Sequence, residues 1–216
     1  MKEVDVYWSF RSPYSYLVTP NLLKLKQDFA VKVNLKVVFP IAIRAPEMLF
    51  TESNAMRTRY IVMDWARRAR FLGMADQWPS PDPIVQDMDS LQIAEEQPHI
   101  RRLSYLGVEA QHQGRGIEFA YEVSHLLFGG QQDWHLGTHL AEAANRAGLS
   151  LSVMENNIQT KNCEAEIENN QIQLDAAGGW GVPTMIFEEE PFFGQDRIDT
   201  LRWHLKNCGL SKNEST

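Results

Sequence analysis

A serine followed by a proline, Ser12-Pro13, separates the run Val4-Asp5-Val6-Tyr7-Trp8-Ser9-Phe10 from the apolar stretch that begins Tyr16-Leu17-Val18. β-Branched and aromatic residues at that density favour an extended strand, and the proline brings it to an abrupt end. The same dipeptide opens a helix well: the serine oxygen caps free N–H groups, and proline at the first helical position gives up no hydrogen bond. Ser12 is therefore expected at a strand-to-helix turn, with its hydroxyl beside the positive end of a helix dipole. Anions and thiolates are stabilised at such a place.

The rest of the chain follows from that start. Residues 16–29 carry Leu17, Leu22, Leu23, Leu25 and Phe29 at helical spacing, with Pro20 expected to kink or divide the helix. Residues 32–40 are β-rich and end in proline, so the opening is a βαβ unit with parallel strands. Residues 56–74 form an amphipathic helix, and the Pro-rich segment 78–83 is a connector. Helical patterns then cover 100–113, 115–128, 136–147 and 151–173, the last with an internal break. Strand signals return at 184–187 and 191–193 around the acidic turn Glu188-Glu189-Glu190, and a final helix spans 198–206. The order is that of an α/β domain, residues 1–45 and 176–211, carrying an inserted all-helical subdomain, residues 46–175; the polar tail after Gly209, above all 212–216, is expected to fray.

Charge and composition exclude several partners. A net charge of −7 and a pI near 5.4 argue against nucleic acid, which needs a basic face. The clusters Arg67-Arg68-Ala69-Arg70 and Arg101-Arg102 read as solvated helix faces. No apolar run reaches the roughly 20 residues that cross a bilayer, so no membrane partner is expected. The N-terminus lacks signal-peptide features, which predicts a cytoplasmic protein. Cys163 and Cys208 have neither disulfide nor zinc spacing, and His135 and His139 lack an acidic companion, so no metal is expected.

Two further stretches bear on chemistry: Gly178-Gly179-Trp180-Gly181-Val182-Pro183-Thr184, and Phe192-Phe193-Gly194-Gln195-Asp196-Arg197. Val-Pro-Thr entering a strand has the form of the cis-proline turn that faces the first helix in thioredoxin-like folds. Ser12-x-x-Ser15 has the spacing of Cys-x-x-Cys in thiol redox proteins, with oxygen replacing sulfur at both ends. Together these segments resemble the 2-hydroxychromene-2-carboxylate isomerases, which have a DsbA-like thioredoxin fold and are related to the kappa-class glutathione transferases. The resemblance implies a thioredoxin-like βαβ…ββα domain with a helical insertion, glutathione as cofactor, a small aromatic substrate and a homodimer. It assigns Ser12 to the glutathione sulfur, favouring its ionised form. It gives Val182 and cis-Pro183 the cysteinyl portion of the peptide, and Gln195 and Asp196 its γ-glutamyl end. Arg57 and Asn54 fall near the cofactor in the same comparison. Trp8, Phe10, Tyr14 and Trp180 are candidate walls of the aromatic pocket. In the implied reaction the thiolate adds to the chromene's unsaturated ring system. Ring opening, bond rotation and expulsion of the thiol then give trans-o-hydroxybenzylidenepyruvate.

Ser9 and Arg11 depart from the family pattern beside the presumed substrate pocket. Several other readings stay open on the residues alone. Ser12 as a plain helix cap, Asp196 as a plain N-cap and Pro183 as an ordinary trans proline are among them. So are a kappa-like glutathione transferase and a thioredoxin-like binding module without turnover. Thiol–disulfide exchange needs an attacking thiolate, which serines at 12 and 15 cannot supply. A serine hydrolase lacks the Gly-x-Ser-x-Gly elbow.

Overall fold

The computed structural model describes residues 1–48, 55–87 and 92–212. Strand β1 (Lys2–Trp8) leads through Ser12 into helix α1 (Pro13–Asp28) and on to strand β2 (Val31–Val37). A short helix α2 (Ile41–Arg44) and the helices α3 (Ala55–Phe71), α4 (Pro98–His112), α5 (Gly116–Phe128), α6 (His139–Arg146), α7 (Leu151–Ile158) and α8 (Cys163–Ala176) follow. Strands β3 (Thr184–Phe187) and β4 (Glu190–Phe193) and helix α9 (Ile198–Asn207) complete the thioredoxin-like α/β fold.

The sheet order is β2-β1-β3-β4. β1 pairs parallel with β2 from Lys2↔Val31 to Trp8↔Val37, as a βαβ unit requires. β3 runs antiparallel to β1, with Tyr7 opposite Thr184, and the β3–β4 hairpin turns at Glu188 and Glu189, both at positive φ. Val4, Val6 and Trp8 form one core with residues of the helical region such as Leu103, Leu106 and Phe119.

Pro20 does not divide α1, which is continuous. A proline removes the N–H that would bind the carbonyl four residues back. That carbonyl belongs to Tyr16, and the buried Thr19 hydroxyl donates to it at 2.7 Å. The tail is also better tied than expected: the Ala30 N–H donates to Leu210 O and the Lys212 N–H to Asp28 O, each at 2.8 Å. Residues 213–216 lie outside the described residues. Arg101 and Arg102 stay partly solvated, with side chains 41% and 38% exposed, and also bind Glu164 and Glu155, tying α4 to α8 and α7. Among the described residues no helix is long and apolar enough to cross a membrane.

Helix α4 lies so close to the sheet that only glycine fits at 107. A Cβ there would meet the Phe10 ring at 2.6 Å and Val37 at 2.9 Å. Overpacking a filled core typically costs about 1–3 kcal/mol. Gly107→Val is expected to lose about that much or more, read as a fall in melting temperature; an unchanged melt would contradict the close approach.

Candidate active site

The parallel pairing of β1 and β2 brings their C-terminal ends to one edge of the sheet, where the Val38 N–H donates to Trp8 O at 2.8 Å. Segments 9–12 and 40–44 therefore emerge side by side. The antiparallel β3 delivers the turn before Thr184 to the same edge. This is where ligands enter open α/β sheets.

Ser12 is the N-cap of α1, with φ −83° and ψ 114°. Its Oγ accepts from the Ser15 N–H at 3.2 Å and donates to Val182 O at the long distance of 3.4 Å. The oxygen already caps the helix, and because the proton's bond to Val182 O is long, a ligand can compete for that proton. Val182-Pro183 is cis, and the Pro183 carbonyl accepts from the Gly194 N–H at 2.9 Å. The Val182 N–H makes no hydrogen bond among the described residues, which leaves a donor beside Ser12 for an extended peptide.

A cavity of about 380 Å³ opens between these two elements. Its lining joins Ser12, Tyr14 and Val182 to Ile41, Ile61, Trp78, Trp180 and Phe193, with Arg11, Arg44 and Arg57 as its cations. Tyr14 donates to Asp64 Oδ2 at 2.7 Å. Burial, reinforced by that carboxylate, pushes the Tyr14 phenol well above its ordinary range, so it stays protonated. Burial would raise Asp64, but hydrogen bonds from Tyr14 and Arg67 hold it below the usual carboxylate value. Arg44 Nη2 donates to Trp180 O at 3.1 Å, while its buried Nε has no partner. Burial lowers the Arg44 pKa, with Asp175 opposing. The Arg57 guanidinium sits 4.9 Å from the Trp180 ring centre. No carboxylate pairs with Arg44 or Arg57 among the described residues.

From the sequence reading the structure brings Ser12, Val182, Arg57, Tyr14 and Trp180 together around the cavity, while Pro183 forms the cis bond after Val182 and lies outside the lining. Trp8 and Phe10 are corrected: they are 0% and 1% exposed and pack edge-on with each other, and Phe10 meets Phe119. Strand alternation explains this, since Val4, Val6 and Trp8 share the face turned toward the helical layer. Gln195 and Asp196 also fall outside the cavity lining. Gln195 accepts from Arg68 Nε at 3.2 Å, and Asp196 pairs with Arg197 at 3.3 Å. The N-cap of α9 is Arg197, not Asp196. Asn54 lies outside the described residues. Arg44, Trp78 and Phe193 were missed. For Arg44 the signal was available, because a parallel βαβ unit predicts that the segment after β2 meets the segment after β1.

Neither cysteine reaches the cavity. Cys163 is buried in the helical region, where burial pushes its thiol up, and Cys208 follows α9. Among the described residues no group of three or more His, Cys, Asp or Glu side chains is placed to hold a metal ion.

Comparison with known proteins agrees with this geometry. The profile of the DSBA-like thioredoxin domain matches residues 3–206. The chain is 25% identical over 204 residues to a 2-hydroxychromene-2-carboxylate isomerase of Pseudomonas putida, covering 92% of this chain and 91% of that protein. Among solved structures it is similar to a 2-hydroxychromene-2-carboxylate isomerase (TM-score 0.68, 20% identity, 96% of each chain). It is also similar to a probable DsbA oxidoreductase from Streptomyces coelicolor (TM-score 0.67, 15% identity, 97% of this chain and 90% of that one). The cytosolic disulfide reductase DsbM from Pseudomonas aeruginosa, solved with GSH, superposes with a TM-score of 0.56 at 15% identity over 94% of this chain and 99% of that one. With a strand-to-helix serine facing a cis-proline turn and a family profile spanning nearly its whole length, the chain belongs to the DSBA-like thioredoxin domain family.

Proposed function

We propose that this protein is a glutathione-dependent isomerase of the 2-hydroxychromene-2-carboxylate type, acting on a small aromatic carboxylate. The observation that carries the reading is the Ser12 hydroxyl set against the Val182 carbonyl at the mouth of an apolar cavity lined by arginines. Glutathione fits the residues present: the free Val182 N–H and its carbonyl suit an extended peptide added as a strand. Bound there, glutathione would supply a thiolate able to add reversibly to a conjugated substrate.

The chain's own groups define the rest. The Ser12 hydroxyl would hydrogen-bond to the sulfur while keeping its proton, and the N-terminus of α1 would favour the anion over the thiol. Arg44, with a donor unpaired and buried, takes the substrate carboxylate, and Arg57 lies beside it over Trp180. Tyr14, Ile41, Ile61, Trp78 and Phe193 exclude water and hold the aromatic ring. An enzyme is favoured by the relative named as an isomerase. Serines at 12 and 15 disfavour the oxidoreductase chemistry of other members of the fold.

The same reading includes a cytoplasmic setting and a homodimer, the latter open to measurement by light scattering. The decisive experiment mixes the protein with glutathione and trans-o-hydroxybenzylidenepyruvate and identifies the product. Interconversion with the cyclic chromene, glutathione being recovered unchanged, is expected. A stable glutathione conjugate would move the protein to the kappa-like transferases. Calorimetry showing no glutathione binding would leave a binding module or a structural role.

A further inference from the structure

We infer that Arg11 and Asp82 form a charge pair that sets how readily a thiol ionises in the cavity, acting beside Ser12. The inference rests on the glutathione reading above and concerns residues with no part in the motifs that led to it.

Arg11 immediately precedes Ser12 and lines the same cavity. Its guanidinium is fixed on two sides. Nε donates to Asp82 Oδ1 at 2.8 Å and Nη2 to Asp82 Oδ2 at 2.9 Å, a two-pronged pair with little freedom. The ring of Trp78 lies below it, 5.3 Å from the guanidinium carbon. Trp78 is itself held, since its Nε1 donates to Asp82 Oδ2 at 3.0 Å. The Ile84 N–H donates to Asp82 Oδ1 at 3.0 Å, so the carboxylate is anchored to its own loop. The pair is largely shielded, with side-chain exposures of 15% for Arg11 and 28% for Asp82. Electrostatic effects are stronger in such a place than in open water.

Asp82 takes the Nε and Nη2 edge of the fork. Nη1 has no hydrogen bond among the described residues, and Arg11 is part of the cavity lining next to Ser12. A cation fixed beside a sulfur site lowers the thiol's pKa, and a carboxylate behind that cation weakens the effect. Arg11 therefore promotes the anion, Asp82 restrains it, and the two together set a poise that the Ser12 hydroxyl alone would not.

The two residues are thus expected to act with opposite sign. The test titrates the ultraviolet thiolate band of glutathione bound to the protein, alongside calorimetric binding. Arg11→Met is expected to raise the pKa of the bound thiol by about half a unit or more, and Asp82→Asn to lower it by a similar amount. The amide introduced by Asp82→Asn keeps one oxygen, which serves either the Trp78 or the Ile84 donor because these bond to different carboxylate oxygens, so the variant's melting temperature is read alongside its titration. Arg11→Lys retains the charge and is expected to stay nearer the parent, which serves if Arg11→Met does not fold. S-Methylglutathione, which has no thiol proton, is the control probe and should lose less affinity than glutathione in Arg11→Met. Shifts of the same sign in both variants, or no shift in either, would overturn the inference and leave the pair a structural clamp. If the parent protein binds no glutathione at all, the functional proposal fails first and the inference falls with it. If the parent binds and only the shifts are missing, the inference alone fails.

Discussion

Ser12→Ala is expected to slow glutathione-dependent isomerisation about 10- to 100-fold at neutral pH. The lost group is a hydrogen-bond donor to an anion, worth about 1.5–3 kcal/mol, and about 1.4 kcal/mol corresponds to a factor of ten. The sign of the pH effect follows. A donor to the sulfur favours the thiolate, so its removal raises the thiol's pKa. The acidic limb of kcat/KM should then move upward by about one pH unit. Raising the pH should restore part of the variant's rate, since hydroxide then performs the ionisation that the serine had favoured. The Ser15 N–H also loses its cap, which costs about 1 kcal/mol of stability. Melting and turnover must therefore be measured on the same preparation. A rate unchanged from the parent would reduce Ser12 to a helix cap.

Arg44→Met should raise KM for an aromatic carboxylate by about tenfold to a hundredfold, with a smaller change in kcat. The basis is the value of a charge-assisted hydrogen bond, about 1.5–3 kcal/mol. Methionine keeps much of the aliphatic length, so the apolar wall survives while the charge is lost. In the parent the arginine also braces the Trp180 carbonyl at 3.1 Å, so some loosening of that turn is expected. A neutral ester of the same substrate separates the two effects. It should distinguish poorly between parent and variant if Arg44 reads the carboxylate. Equal losses for acid and ester would show that the residue only holds the turn.

How much of this was readable in advance depends on the range of the interaction. The Ser12 cap, the proline beside it and the Val-Pro-Thr turn are local chemistry, and each lies where the sequence pattern places it. The opening βαβ unit and the helix-rich middle were legible for the same reason: their periodicity belongs to single segments. Trp8 and Phe10 misled because nearness to Ser12 in sequence was read as nearness to its cavity. The parity of Val4, Val6 and Trp8 already turned them toward the core. Gln195 and Asp196 were placed at a helix start that begins later; Asp196 instead pairs with Arg197 in the turn before α9, and Gln195 reaches across to Arg68 of α3. Pro20 misled in another way, for the repair lay in a neighbouring hydroxyl rather than in any helix propensity. Arg44 was within reach of the pattern, since the parallel βαβ unit sets the segment after β2 beside Ser12, whereas Trp78 reaches the cavity through contacts across a long sequence separation that no local pattern encodes.

The cavity draws its reactive edge from the sheet, at Ser12 and Val182, and much of its enclosure from α3 and the segment around Trp78. Those two sources are joined by side-chain contacts rather than by shared backbone. Altering the enclosing segments can therefore change which molecule is admitted while the Ser12 and Val182 frame stays intact. Selectivity and reactivity are separable in such a design, and a lineage built on it can diversify its substrates without rebuilding its chemistry.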